Sequence, residues 1–476
     1  MNGISEQPLY TDGDTICALS TAAGTGAIAV VRVSGRDAFA IVDTIFRPAG
    51  DKMPLSRRAP NTLVYGEIVD EQGATLDQVV VSLFRAPHSF TGEDTVEISC
   101  HGSLYIRRTL IALLMKKGCR GAMAGEFTRR AFAHGKLDLS QAEAVADLIA
   151  SESAASHRLA MNQMRGGFSR ELFALREQLL QFVSLVELEL DFSEEDVEFA
   201  DRSRLTELAQ HIEQVITRLA DTFHRGNALK NGIPTIIVGE TNAGKSTLLN
   251  RLLHDDRALV SDIHGTTRDT LEDTVDIQGT TFRFIDTAGI RDTRDTIENM
   301  GIDRTFRKLE QADIVLWTID GTSADNALQQ LSEQLLPRCA GKHLVALINK
   351  TDLLTPEQCA RHRRALEKWG IAPDAILEIS ARTDADMTPL ENHLAAWAQR
   401  DDSASDVVVT NQRHYEALLR AQTAIRRVLQ GLRDNYTGDL LSQDIRETLH
   451  HLGEITGEIT TDEILSTIFR HFCIGK

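Results

Sequence analysis

The run Gly239-Glu240-Thr241-Asn242-Ala243-Gly244-Lys245-Ser246 limits what this chain can fold into more than any other feature of it. It follows the β-branched segment PTIIV and precedes TLLNRLL, whose apolar spacing is helical, so strand, glycine-bearing loop and helix succeed one another. Such a loop wraps backbone N–H groups round phosphates at a helix N-terminus. Lys245 then reaches the outer phosphates, and the Ser246 hydroxyl suits Mg²⁺. A strand feeding such a loop belongs in a parallel sheet. From the turn Asn231-Gly232-Ile233-Pro234 to about residue 400, strands and helices do alternate in the rhythm of one.

Three further strand ends point to the same site. TTFRFIDTAGI is a strand delivering Asp286, Thr287, Ala288 and Gly289, an acid for a second Mg²⁺ anchor and a glycine that lets an N–H approach the terminal phosphate. HLVALI delivers Asn349, Lys350, Thr351 and Asp352. The Asp352 carboxylate can accept paired hydrogen bonds from the donor edge of guanine, which adenine lacks. Ser380, Ala381 and Arg382, after AILEI, complete a base pocket by similarity to GTPases generally. The phosphate-binding set is Asn242, Ala243, Gly244, Lys245, Ser246 and Thr247. Between the motifs lies Gly265-Thr266-Thr267-Arg268-Asp269, where Thr267 takes the role of a threonine closing over Mg²⁺. Ile290 follows the Gly289 turn, so the water-orienting glutamine of Ras-like enzymes is missing. Glu298 is the nearest candidate by chemistry, and spacing alone also admits Asp292 and Asp295.

The fold class expected is multidomain α+β. Residues 1–134 carry short β-branched runs (AIAVVRVSG, QVVVSLFRA, TVEISCHG) and one helical segment, LYIRRTLIALLMKK, which read as an α+β domain. Residues 135–228 have long helical periodicity, 229–400 form a P-loop α/β domain, and after the polar linker DDSASD the helical pattern returns over 401–476. One helical bundle interrupted by an inserted domain explains the two flanking blocks. Two separate bundles are the alternative, disfavoured because short helices need partners to bury their apolar faces.

Composition restricts the partners. With 51 basic and 69 acidic residues the net charge is −18, and a chain this acidic makes a poor general binder of a phosphate backbone. If nucleic acid is involved, another component supplies the positive surface. The six cysteines lack paired metal-type spacing and fit free thiols in a reducing compartment. No basic flank precedes an apolar run near residue 1, and no apolar stretch has the length of a membrane span, so a cytoplasmic protein without membrane association is expected.

One further motif is rejected and another is weak. Residues 23–29 contain GxGxxA, but VVRV follows where a dinucleotide site needs a helix N-terminus. Gly118-Cys119-Arg120-Gly121 is a GXXG pattern like that of KH domains, but the chain continues into helix where that fold needs a strand.

From end to end the sequence resembles the tRNA modification GTPase family MnmE, also called TrmE. The resemblance runs through VRVSG at 31–35, FTGEDTVEISCHG at 90–102, GEFTRRAFAHGKLDLSQAEAVADLI at 125–149, the nucleotide motifs, and the terminal Cys473-Ile474-Gly475-Lys476. It implies an N-terminal folate-binding, dimerising domain, a discontinuous helical domain and an inserted GTPase domain. It further implies modification of tRNA wobble uridine at carbon 5, with an FAD-containing partner protein and a tetrahydrofolate derivative (5-formyl or 5,10-methylene) as one-carbon donor. Folate contacts would fall to Arg32, Glu97, Lys136 and Lys476, and K⁺ ligands to Asn242, Ser261, Ile263 and Thr266. Glu298 would orient the attacking water when two GTPase domains meet. Lys245 and Cys473 are the other catalytic candidates. A cysteine in an apolar tail is ordinarily buried and inert, while Arg470, His471 and Lys476 beside Cys473 would favour thiolate. The rival reading is a regulatory GTPase switch in ribosome assembly, which would not need Arg32, Glu97, Lys136 or the CIGK terminus.

Overall fold

Strict alternation along the early strands decides the first sheet. In β5 (Thr75–Phe84) every second residue from Asp77 to Leu83 is buried, the signature of a strand with one covered face. The computed structural model describes residues 13–191, 202–257, 273–285, 308–323, 325–383, 387–399, 407–470 and 472–475. Within them the chain forms two compact units, one from residues 1–146, 164–185 and 445–476, the other from 147–163 and 186–444.

In the first unit, seven strands lie in the order β3-β4-β5-β6-β2-β1-β7. The remaining ranges are β1 Ile16–Leu19, β2 Ile28–Ser34, β3 Phe46–Pro48, β4 Thr62–Val69, β6 Thr95–His101 and β7 Arg120–Gly121. All neighbours are antiparallel except β1 and β7. The helices Ala38–Asp43 and Leu104–Lys116 bring Val42, Leu110 and Leu114 onto Val31, Val33, Val96 and Ile98. The second helix fits LYIRRTLIALLMKK; the first was not legible, being only six residues long. After Gly118 the chain makes the two-residue strand β7 before the helix Glu126–Ala133. A strand, β2, also follows the GxGxxA pattern.

The second unit contains a six-stranded sheet in the order β13-β12-β11-β8-β10-β9. Its strands are β8 Ile233–Val238, β9 Asp273–Ile277, β10 Thr280–Phe284, β11 Ile314–Asp320, β12 His343–Asn349 and β13 Ile376–Glu378. All pairs are parallel except the β9–β10 hairpin. Central β11 is buried at all seven positions, because helices cover both faces and leave separate cores around Leu316 and around Trp317.

The segments on either side of this sheet pack on one another. Helix Arg202–Asp221 meets helix Gln412–Arg433: Arg426 Nε donates to Glu213 at 2.9 Å and Gln422 Nε2 to Thr217 Oγ1 at 2.6 Å. Phe223 stacks on Tyr415 with centroids 4.3 Å apart. Within the second unit, helices that precede and follow the sheet in sequence are therefore packed on one another. One helical stretch is broken where periodicity runs on: Leu139–Ala150 and Ala154–Met164 are separate helices. Ser153 and Ser156 exchange backbone-to-hydroxyl hydrogen bonds of 3.2 Å, a reciprocal cap that starts the second helix. Among the described residues no helix is long and apolar enough to cross a membrane.

Candidate functional site

The fully parallel part of the second sheet sends the loops after β8, β11 and β12 to its carboxyl edge, where open α/β sheets bind their ligands. After β8, Gly239 and Gly244 have φ of +153° and +98°, and Asn242 is left-handed at +63°. A side chain at Gly239 would overlap the Thr318 carbonyl, and one at Gly244 the Asn349 amide. Both glycines are therefore demanded by close approach as well as by backbone angle. Helix Lys245–Arg257 starts where this loop ends, so its first N–H groups face the loop. Ala243 is fully buried, Ser246 half-buried and Thr247 exposed. Lys245 Nζ donates to the carbonyls of Gly239 and Glu240 at 2.8 and 2.7 Å, bridging the loop's mouth. Burial pulls its pKa below the usual lysine range, with the Glu240 charge opposing.

At the end of β12, Asn349 is 2% exposed and joins two loops. Its Nδ2 donates to the Ala243 carbonyl at 2.7 Å, and its Oδ1 accepts from the Ala381 N–H at 3.0 Å. Lys350, left-handed at φ +64°, donates from Nζ to Asp320 Oδ2 at 2.5 Å. Burial raises the Asp320 pKa, but hydrogen bonds from Lys350 and Thr322 outweigh it and leave the carboxyl below its ordinary value. Asp352 is exposed, and Ser380 Oγ donates to its Oδ1 at 2.5 Å, which fixes the carboxylate and leaves its other oxygen for a ligand. Arg382 is exposed on the following turn. The arrangement can cradle phosphates at one end and read a base at the other. Asp320 was not singled out from the sequence; its signal was an acid closing the apolar strand IVLWTID.

Several sequence-derived candidates lie outside the described residues: Ser261, Ile263, Thr266, Thr267, Asp286, Thr287, Ala288, Gly289, Asp292, Asp295, Glu298, His471 and Lys476, as does the linker 401–406.

In the first unit, Arg32 and Glu97 face each other across β2 and β6, on the side of the sheet away from the two helices. Arg32 Nε donates to Glu97 Oε1 at 2.9 Å, and Nη2 lies 2.8 Å from the same oxygen. The guanidinium sits 5.1 and 5.4 Å from the ring centroids of Phe90 and Phe127. Its Nη1 is buried without a hydrogen-bond partner. Lys136 is exposed and donates from Nζ to the Pro87 carbonyl at 2.9 Å. Cys473 is exposed, contrary to the ordinary expectation for an apolar tail. The reason is that Phe469 and Phe472 take the buried positions, against Leu139 and Ala142. The tail then runs along Gly125: Ala124 and Ile474 form an antiparallel bridge, and Ser20 Oγ donates to the Gly475 carbonyl at 3.2 Å.

Near these residues lies an ion network that sequence reading missed. Arg130 is fully buried between Asp14 (2.5 Å), Glu93 (2.9 Å) and Glu126 (3.0 Å), and Arg120 joins Glu126 and Asp14. The Glu126/Arg130 spacing of four on a helix was its only local trace.

Two family profiles match the chain: the MnmE helical domain over residues 139–473 and the GTP-binding protein TrmE N-terminus over 15–136. The chain is 58% identical over 465 residues to the tRNA modification GTPase MnmE of Bacteroides fragilis, an alignment covering 97% of this chain and 99% of that one. It is 55% identical over 464 residues to the protein of that name from Parabacteroides distasonis, covering 97% and 100%. For the Porphyromonas gingivalis protein the figures are 49% over 466 residues, covering 97% and 98%. Among solved structures, a GTP-binding protein of Sulfolobus solfataricus in complex with GDP overlaps 48% of this chain and 67% of its own, with 19% identity and a TM-score of 0.27. With both profiles matched and about half or more of the residues identical along nearly the whole length, the chain belongs to the MnmE family of tRNA modification GTPases.

Proposed function

We propose that this chain is the GTP-hydrolysing component of a cytoplasmic system that modifies tRNA wobble uridine at carbon 5, yielding the carboxymethylaminomethyl class of product. It works as a homodimer with an FAD-containing partner protein, and a tetrahydrofolate derivative in the 5-formyl or 5,10-methylene form donates the one-carbon unit. In this reading residues 1–134 bind folate and dimerise, 229–400 hydrolyse GTP, and 135–228 with 401–476 make the helical domain.

The phosphates sit in the loop Asn242–Thr247 with Lys245 on the outer ones, and Asp352, set by Ser380, reads guanine. Ser246 and Thr267 would hold Mg²⁺, and Asn242 with Ser261, Ile263 and Thr266 would hold K⁺; both cations supply positive charge beside the outer phosphates. Glu298 orients the water. The glycine cradle and the half-buried Ser246 fit this assignment.

One observation favours it over a ribosome-assembly switch. Arg32 spends two nitrogens on Glu97 and keeps a third buried and unsatisfied, beside two aromatic rings. A buried donor without a partner is costly, and a flat ligand carrying an acceptor would relieve it. A reduced folate titrated into the purified chain, followed by calorimetry, tests the reading. Binding that Glu97→Gln weakens supports it. Absence of folate binding in protein that still binds GTP would favour the switch.

A further inference from the structure

Three side chains near the end of helix Gly438–Thr456 converge in a way the nucleotide and folate chemistry does not use. His450, His451 and Glu454 follow a helical spacing of three and four, so both imidazoles reach the same carboxylate. His450 Nε2 lies 3.2 Å from Glu454 Oε1, and His451 Nδ1 lies 3.5 Å from Glu454 Oε2. One ligand atom from each residue falls within 4.8 Å of the others. Zinc bonds of about 2.0–2.1 Å place tetrahedral ligands about 3.3 Å apart, so the two histidine–carboxylate separations already lie near that value and rotation of the side chains brings all three ligand atoms round one ion.

The burial gradient points the same way. His450 is half-exposed, leaving an open approach, while His451 is 14% exposed in its side chain and its Nδ1 is buried without a hydrogen bond. The far nitrogen of that ring, Nε2, faces Glu447 Oε1 at 3.7 Å. At that distance no hydrogen bond is made, but a carboxylate that closes on the far nitrogen is the outer arrangement that fixes the tautomer and orientation of a metal-bound histidine. Plain helix ion pairs would explain the His450–Glu454 contact. The same spacing gives the His451 contacts to Glu447 and Glu454, but it leaves His451 Nδ1 buried without a hydrogen bond, a nitrogen that a metal ion would satisfy.

We propose that His450, His451 and Glu454 form a binding site for a divalent transition-metal ion, with Glu447 as a positioning residue. Two imidazoles and one carboxylate suit zinc and its neighbours and not magnesium, which prefers an all-oxygen shell. The fourth position is left to water. Bound there, an ion ties together the last turn of the helix that leads towards the C-terminal segment, and this role does not rest on the folate or nucleotide reading.

The test uses the full chain, stripped with a chelator, and Zn²⁺ as the probe. Calorimetric titration should give one more equivalent for the wild type than for the H450Q/H451Q double variant, unaffected by millimolar Mg²⁺. Glu447→Gln should keep that equivalent with affinity lowered about 10–100-fold. Zn²⁺ should also raise the Tm of the wild type more than that of the double variant. Equal stoichiometry and equal Tm response in the two proteins, or displacement by Mg²⁺, would overturn the proposal. If the double variant loses its circular dichroism in chelator, His450→Gln alone, at the half-exposed position, replaces it in the comparison: a lost equivalent supports the site, and an unchanged one overturns it.

Discussion

Asn349→Ala is the change whose consequence can be worked furthest from the structure. The amide joins the phosphate loop to the base pocket through bonds of 2.7 Å to Ala243 and 3.0 Å to Ala381, and both partners are buried. Truncation leaves a carbonyl and an N–H without partners, each costing about 1–3 kcal/mol. A central value for the pair is about 4 kcal/mol, which for a domain of this size lowers Tm by about 8–16 °C. The loss should appear in nucleotide-free protein, because the staple exists without ligand. Nucleotide affinity should fall as well, since the two loops no longer hold a fixed spacing. Differential scanning calorimetry of the apoprotein, with a fluorescent guanine nucleotide titration alongside, measures both. A variant whose apo Tm matches the wild type while its affinity collapses would refute the reasoning, and would mean that Asn349 acts through direct ligand contact.

Asp352→Asn should leave apo stability nearly unchanged, because the side chain is exposed, while converting an acceptor pair into donor plus acceptor; competition titrations should show guanine preference lost and xanthine preference gained. GTP turnover should rise when K⁺ replaces Na⁺, and Glu298→Ala should slow hydrolysis with affinity largely intact; equal rates in both salts would remove the ion from the mechanism, and a matching loss of affinity would make Glu298 structural. Burial works to raise the Glu126 pKa, but Arg120, the Met123 N–H and Arg130 outweigh it and lower it, and Asp14 is lowered likewise. Their stabilisation is present above the unfolded carboxylate range of about pH 4 and is lost as pH falls through the lower folded values, so Tm curves of wild type and Glu126→Gln should converge in acid, and a constant offset would contradict this. Phe472→Ala should cost about 3–5 kcal/mol of local stability and speed hydrogen exchange at the Gly125 amide, which donates to the Cys473 carbonyl; unchanged protection there would show that the tail is held by something other than its phenylalanines.

What was legible in the sequence is what the chain states locally. PTIIV, HLVALI and AILEI are strands because β-branched runs end at glycine or polar turns, and each such end carries its own chemistry, so a candidate nucleotide site could be assembled from three separate segments. Partnerships between segments were not legible. Nothing in NKTD says that Asn349 reaches back to Ala243 rather than to a ligand, or that Lys350 is held by Asp320, thirty residues earlier. The serine break at 151–153 was hidden because helical periodicity continues through it, and the break depends on two hydroxyls finding each other's N–H groups.

The C-terminal segment shows how such non-local partnerships are maintained. Ser20 and Gly475 are 455 positions apart, and for a flexible chain of that length closure would cost about 5 kcal/mol. The hydrogen bonds of the tail, at about 1 kcal/mol each, do not meet that cost. Residues 139–146, 164–185 and 445–470 fold within the same unit, however, so most of the closure is already made before the tail arrives. Arg176 contributes to it by pairing with Glu458 and donating to the Leu449 carbonyl at 2.7 Å. Phe469 and Phe472, with ring centroids 5.3 Å apart, then bury against Leu139 and Ala142, so that only the last few residues remain to be ordered. Apolar anchoring supplies the affinity and the polar contacts supply the register. An exposed cysteine can therefore sit at a defined place beside Gly125 although its own side chain contributes nothing to holding it there.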